Sequence, residues 1–293
     1  SMLETEALGA NAPRSSLRDI TVQTATWLAA TLVAGMFLWL LSDLLWHGAA
    51  RVDWSFLTTA PKSSGRAGGI APILVSTLLI LAVAIAVAAP LGLATAVLLS
   101  EFTRREGRLG QTIGLSLDVL AGIPSIVFGL FGNAFFSVWL GLGFSILAGG
   151  LTLACMVLPI LIRTAESGLR QVPDDWRLSA EALGMSRSTI LLHVLVPAAA
   201  PALVAGLMLG IGRAMAETAA LVFTSGYVDR MPSSLLDSGR AISVHIYDLS
   251  MNVAGGDKNA YASALVLIAL LIIINSIAVA LADRALTRRI AVG

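Results

Sequence analysis

The sequence predicts an all-α, polytopic membrane protein with six transmembrane helices, and three observations carry that expectation. The first is composition. Of 293 residues, 57% are hydrophobic and 13% charged, with a mean hydropathy of +0.85, against roughly 45–50% and about 25% in soluble domains. The second is that six stretches reach the roughly 20 apolar residues a helix needs to cross a bilayer. The third is a polar island, Glu166 to Pro201, set between apolar stretches. Its Arg170, Asp174, Asp175, Arg177, Glu181, Arg187 and His193 cannot lie in lipid and must meet water or protein.

Taken in order, Ser1 to Asp19 reads as a polar tail, and the first span, 24–46, as an uncleaved anchor too long for a signal-peptide core. Trp39 and Trp46 stand toward its far end, where aromatic rings favour the interface. A polar loop, 48–69, leads to the second span, 70–99, which contains Pro90. The third, 113–139, is interrupted by Asp118 and by Gly122-Ile123-Pro124-Ser125. A charge-free turn at 141–143 precedes the fourth, which ends near Ile162; the fifth covers 198–223 and the sixth 261–281. Between the last two lies the loop 225–260, with a helix expected near Leu235 to Leu249.

Orientation follows from the Lys/Arg bias of short loops. With the N-terminus inside, twelve arginines from Arg14 to Arg289 fall on cytoplasmic segments, against six basic residues outside: Arg51, Lys62, Arg66, Arg230, Arg240 and Lys258. Both termini and the island are thereby placed in the cytoplasm, and loop 225–260 outside. The expected division is a cytoplasmic tail, 1–23, a transmembrane region, 24–283, and a cytoplasmic tail, 284–293.

Within the island, Pro173 suits a first helical turn, Asp174 and Asp175 complement its positive end, and Gly184 is placed to close it. Trp176, Ala180 and Leu183 give this helix one apolar face, and Arg177 and Glu181 lie a turn apart on another. Ser186 can cap a second helix through the Thr189 amide, ending before Pro197. Mixed charges weaken a membrane-surface role; packing on the parent chain and docking on a partner both remain open.

Two ionisable residues lie inside the fifth span, Arg213 and Glu217, at i and i+4 near a small-residue stripe of Ala202, Gly206, Gly210 and Ala214. Two uses are open to them. One is an ion pair that locks the span to a neighbour. The other is an anion site, in which Arg213 attracts an oxyanion and Glu217 accepts a proton-bearing oxygen of it, favouring hydrogen phosphate over sulfate. The Gly122, Pro124 and Ser125 break is read as a kink for packing, or as backbone lining a pathway. Asp118, near the cytoplasmic end, is a solvated or packing carboxylate or a gate residue.

These residues carry a resemblance. Ala180-Glu181-Ala182-Leu183-Gly184, followed by nine residues and Val194-Leu195-Val196-Pro197, resembles the "EAA" loop of ABC importer permeases. Leu178 and Ser179 stand where that pattern has Glu-Ala. Arg213-Ala214-Met215-Ala216-Glu217-Thr218-Ala219 and Gly122-Ile123-Pro124-Ser125-Ile126-Val127-Phe128-Gly129 are similar to the phosphate-importer permeases, more to the PstA type than to the PstC type. Ala216 and Ala220 replace a glycine and a proline of that pattern. The resemblance implies a type I (MetI-like) permease fold with its core at 70–283 and a coupling loop at 166–197. Within that loop Trp176, Ala180, Glu181, Ala182, Gly184 and Pro197 would serve ATPase docking. It further implies Arg213 and Glu217 on the substrate path, in a bacterial inner (plasma) membrane. The implied partners are a homologous PstC-like permease, a PstB-like ATPase dimer and an extracytoplasmic PstS-like phosphate-binding protein.

Several classes are excluded. No G-x-x-x-x-G-K-[ST] precedes Lys62 or Lys258, so ATP and Mg would be used by a separate ATPase chain and no cofactor is expected here. Neither G-x-S-x-G nor H-E-x-x-H occurs. His47, His193 and His245 lack ligand-spaced neighbours, the single Cys155 makes no bridge, and no basic block interleaved with aromatics suggests nucleic acid.

Overall fold

The computed structural model describes residues 17–103 and 107–290; the tail residues 1–16, Arg104, Arg105 and residues 291–293 lie outside them. The chain divides into two units, 1–46 and 47–293. The first consists of most of helix α1, Leu17–Gly48, which begins inside the stretch read as a tail. Trp27, Phe37 and Trp39 are exposed along it. Thr24 and Thr26 turn their hydroxyls onto the carbonyls of Ile20 and Val22, so neither exposes a polar group to lipid.

In the second unit the predicted loop 48–69 is folded. Asp53 caps the short helix α2, Trp54–Thr58, by accepting the Phe56 amide at 2.7 Å. An antiparallel pair, β1 (Pro61–Lys62) and β2 (Ala67–Gly68), follows. The long helices are α3, Ala71–Glu101, and α6, Ile146–Arg170, each continuous through an internal proline, Pro90 and Pro159. Helix α6 thus runs well past Ile162 into the polar island. Small residues bring it close to its neighbours: Gly150 lies against Val83 and Gly168 against Ala202. The core between these helices contains Ile80, Ala84, Ala88, Leu153, Val157, Leu161 and Ala214.

Between them the third span is two pieces, α4 (Arg108–Gly122) and α5 (Ser125–Gly132, continued by a π-helical segment, Asn133–Trp139), bent by 100°. Pro124 explains the break. It excludes Ile123 from helical geometry, leaving it extended at φ −70°, ψ 129°, while its own carbonyl receives the Val127 amide.

The island forms helix α7, Asp174–Ala182, closed by Gly184 at φ +74°. Helix α8, Arg187–Ile190, is capped by Ser186 through the Thr189 amide. It does not stop before Pro197. A π-helical turn, Leu191–Leu195, joins it to α9, Val196–Met215, whose first turn takes Pro197. A proline there loses no hydrogen bond the helix would need. The fifth span is therefore 187–215, followed by an interruption and a short α10, Ala219–Val222. Helix α11, Ile242–Met251, begins later than the sequence suggests, and α12, Asp257–Ile290, outruns the predicted sixth span at both ends. Among the described residues five helices are long and apolar enough to cross a membrane, and the bent pair can make a sixth.

At the end opposite α7, α11 packs with α2, α3 and α12 around Phe56, Ile70, Ile73, Ile242, Ala262 and Val266. Arg51 donates to Asn259 at 2.9 Å, and Asn259 to the Gly65 carbonyl at 2.6 Å. His245 is fully buried beside Gly65, with Nδ1 3.4 Å from Arg240, which pairs with Asp248 at 3.1 Å.

Two outcomes follow from this packing. A Cβ at Gly150 would lie 2.5 Å from Val83, so Gly150→Ala should destabilise the protein by about 1–3 kcal/mol, seen as a lowered melting temperature in detergent. Burial, reinforced by Arg240 and partly offset by Asp248, pushes the His245 imidazole from 6.5 down to about 4. The unfolded chain therefore takes up this proton first as pH falls. Stability present above pH 6.5 is lost on acidification toward pH 4, and His245→Asn should shrink that loss in melts recorded across this window.

Candidate functional site

The interruption after α9 decides how the two intramembrane ionisable residues are presented. Ala216 still donates to Gly212 and Glu217 to Ala214, but there the helix ends. The Glu217 side chain instead accepts the Ala220 amide at 3.0 Å, capping α10, and its carbonyl accepts the Ser243 hydroxyl at 2.5 Å. Polar side chains thus supply what the helix gives up, which is how a broken span stays tolerable in lipid. The sequence suggested one continuous helix with Arg213 and Glu217 meeting at i, i+4. The structure separates them: Arg213 is exposed on the last turn of α9, Glu217 is buried in the break, and no ion pair joins them among the described residues.

Both nevertheless border one open groove, lined by Ile160, Leu209, Arg213, Ala216 and Glu217. The stripe Ala202, Gly206 and Gly210 does not face it; Gly206 meets Thr164 and Gly210 approaches Leu161 on α6. Arg213 has no hydrogen-bond or ion-pair partner among the described residues, so its five N–H donors are available. An ionisable side chain at this depth of a span is costly to leave without a partner.

Gly122, Pro124 and Ser125 are not among the groove's lining residues. Their helix, α5, reaches the site another way: Gly129 packs so closely on Ala220 that a Cβ would lie 2.8 Å from its Cα. Helices α5 and α10, each of which follows a break, are therefore in mutual contact. Sequence reasoning overlooked Ser243 and Gly129, since partnership between segments so far apart leaves no local pattern.

The second region is α7. Its periodicity predicts an apolar face of Trp176, Ala180 and Leu183. Only Ala180 is buried; Trp176 is 51% and Leu183 81% exposed, and Leu178 joins them outside. Glu181, Ala182 and Gly184 are exposed as well. Helix α7 thus offers most of its apolar surface outward. Arg177, a turn from Glu181 in the sequence, reaches instead to Glu101 at 2.8 Å and Asp174 at 3.3 Å. The hydrogen bond to Glu101 holds the Arg177 proton more tightly than usual. Nearby, Arg163 bridges Asp118 at 2.5 Å and Glu166 at 3.6 Å, and Arg170 bonds Glu166 at 3.0 Å and the Leu99 carbonyl. Asp118, itself largely exposed, thus ties α4 to α6 through Arg163. Glu101, the only carboxylate in α3, was the one available hint of this cluster in the sequence.

Comparison with known proteins supplies the context for both regions. Residues 88–292 match the family described as the binding-protein-dependent transport system inner membrane component. Among curated relatives, the probable ABC transporter permease protein YqgI of Bacillus subtilis is 30% identical over 274 residues, covering 87% of this chain and 93% of that protein. Phosphate transport system permease protein PstA 1 of Mycobacterium tuberculosis is 35% identical over 260 residues, covering 86% of this chain and 83% of its own. A PstC 1 permease of Mycobacterium bovis is 30% identical over 248 residues, with 76% and 73% covered. Among solved structures, an inward-facing MetNI methionine ABC transporter chain aligns with a TM-score of 0.54 at 19% identity, over 74% of this chain and 96% of that one. A chain of the bacterial ABC transporter that imports the acidic polysaccharide alginate gives 0.60 at 12% identity, over 91% and 99%. These likenesses establish the MetI-type permease fold.

The capping role of Glu217 can be separated from any other. Glu217→Gln keeps an oxygen for the Ala220 amide and should leave the melting temperature nearly unchanged, whereas Glu217→Ala should cost about 1 kcal/mol in the same measurement.

Proposed function

The chain belongs to the binding-protein-dependent transport system inner membrane component family, and on that premise we propose that it is the PstA-type permease subunit of an ATP-driven phosphate importer. The observation that carries the phosphate assignment is the unpaired Arg213 guanidinium, set beside a buried carboxyl at a broken span. Relatives named for phosphate transport over most of the chain support it. Arg213 attracts the anion, and Glu217, whose second oxygen is free of the Ala220 bond, accepts a proton-bearing phosphate oxygen. Such an acceptor favours hydrogen phosphate over sulfate, which carries no proton to give.

Energy comes from a separate ATPase pair that uses ATP and Mg. The chain sits in the bacterial inner membrane with both termini cytoplasmic and is surrounded by lipid. It forms the pathway with a homologous PstC-like permease, which completes the open side of the groove. A PstS-like phosphate-binding protein delivers substrate at the end carrying α11. Helix α7 is the coupling helix: Trp176 and Leu183, exposed to water in the isolated chain, dock on the PstB-like ATPase together with Glu181, Ala182 and the Gly184 turn. Pro197 lies in the helix that leads from this loop to Arg213. Closure of the ATPase pair moves α7 and opens the groove outward, giving alternating access.

The test is ATP-dependent uptake of labelled phosphate by the complete complex in vesicles, with sulfate, molybdate and arsenate as competitors. Arg213→Ala should abolish uptake while leaving the complex assembled, and Glu217→Gln should weaken the preference over sulfate. Uptake retained by the arginine variant would sink the site. Equal competition by sulfate or molybdate would assign the pathway to another oxyanion.

A further inference from the structure

Helix α7 is joined to the body of the protein by very little apolar surface. Ala180 is its one buried side chain, packed among Ala96, Ala165, Leu169 and Ile190. Burying a methyl group contributes only about 1 kcal/mol, too little to hold a helix that must carry force. Beside it lies a cavity of about 410 Å³, bordered by Glu101, Phe102, Arg177, Glu181 and Arg187, so tight packing does not make the join either.

What does cross the gap is Arg177. Its Nε donates to Glu101 Oε2 at 3.2 Å and Nη2 to Glu101 Oε1 at 2.8 Å, a two-pronged grip on the last residue of α3. Nη2 also donates to the Leu169 carbonyl at 3.0 Å, and Nη1 to the Val172 carbonyl at 2.7 Å. Leu169 is in the last turn of α6, where its carbonyl also receives the Gln171 and Val172 amides, and Val172 follows two residues beyond the helix end. The remaining Nη1 donor reaches Asp174, on the first turn of α7, at 3.3 Å. A guanidinium has five N–H groups in one rigid plane, and here all five are used. Arg177 is only 19% exposed and Glu101 18%.

We propose that Arg177 is the positioning residue that makes the coupling helix move as one body with α3 and α6, with Glu101 as its anchor. This deepens the transport reading above and rests on it. A lysine cannot substitute, because a single ammonium cannot grip both carboxylate oxygens and both carbonyls in a plane. Without the link, α7 would still dock on the ATPase through its outward face, but its displacement would be absorbed locally before reaching α3 and α6.

The experiment uses the complete complex with four permease chains: wild type, Arg177→Lys, Glu101→Gln, and a Glu101→Cys/Arg177→Cys pair in a Cys155→Ser background. Two quantities are measured on assembled complexes only: hydrogen exchange of the α7 amides, and labelled phosphate taken up per ATP hydrolysed. Expected for Arg177→Lys is at least a tenfold faster α7 exchange and at least a tenfold lower phosphate-to-ATP ratio, with the ATPase still bound; Glu101→Gln should lie between it and wild type. Bridging the cysteine pair with a short bis-methanethiosulfonate should restore the ratio, and reduction should remove it again. A wild-type ratio in Arg177→Lys complexes, or no recovery on bridging, would overturn the proposal, since a merely structural arginine alters how much complex assembles and not the ratio. Were the wild-type complex to take up no phosphate, the transport reading would fail, and unchanged α7 exchange in Arg177→Lys would then decide separately against the link.

Discussion

The close contact of α6 with α3 and α9 is the constraint on which the rest of the structure depends. Inside a bilayer, apolar side chains gain nothing from leaving water, because lipid is as apolar as they are; helices associate through tight van der Waals packing of small residues. Gly150 against Val83, Gly168 against Ala202 and Gly206 against Thr164 provide that approach along the length of α6. With α6 held between α3 and α9, the short α5 and α10 pack against it and against each other. The position of Glu217 and the direction of the groove are consequences of that arrangement.

Charges are distributed by the same logic. At the end carrying α7, Asp118, Arg163, Glu166 and Arg170 form a chain of pairs, and Glu101 and Arg177 form a second cluster beside it. Such pairs stabilise little when exposed, but they set geometry where helices leave the membrane and apolar packing fades. At the other end Arg240 and Asp248 do the same for α11. Arg213 belongs to neither group, having no ion-pair or hydrogen-bond partner among the described residues.

The fold was legible where periodicity and length speak. Long apolar runs gave the spans, Pro124 gave the break in the third, and Pro173 and Gly184 bounded α7 within a residue. What the sequence misjudged has physical causes. Pro197 read as a stop, yet a proline in a first turn after a π-helical segment interrupts nothing. The break at Ala216 to Thr218 has no proline or glycine to announce it; it exists because Glu217 and Ser243 supply tertiary hydrogen bonds from elsewhere in the chain. Trp176 and Leu183 read as an apolar face that could pack or dock, and what periodicity could not decide is its direction: α7 turns them outward and Arg177 inward. Five satisfied hydrogen bonds outweigh a hydrophobic face that a partner can cover. Arg213 and Glu217 were identifiable as candidates because ionisable residues stand out in a span, while their separation was not.

Two routes lead from α7 into the membrane, and together they say where movement must be taken up. One passes through Arg177 into the ends of α3 and α6. The other is the continuous span from Arg187 to Met215, roughly 40 Å at 1.5 Å per residue, with Arg213 in its last turn. Because α6 packs along both α3 and α9, the two routes converge on one body and cannot shear past each other without opening glycine-lined contacts. Relative motion is left to the segments that lack such contacts: the extended Ile123 between α4 and α5, and the Ala216 to Thr218 interruption. These are the two places where the backbone has already given up helical hydrogen bonds, and α5 and α10 meet at Gly129 and Ala220 between them. A displacement entering at α7 would therefore be expressed beside Glu217, where the groove's one buried carboxyl is held by the Ala220 amide of α10.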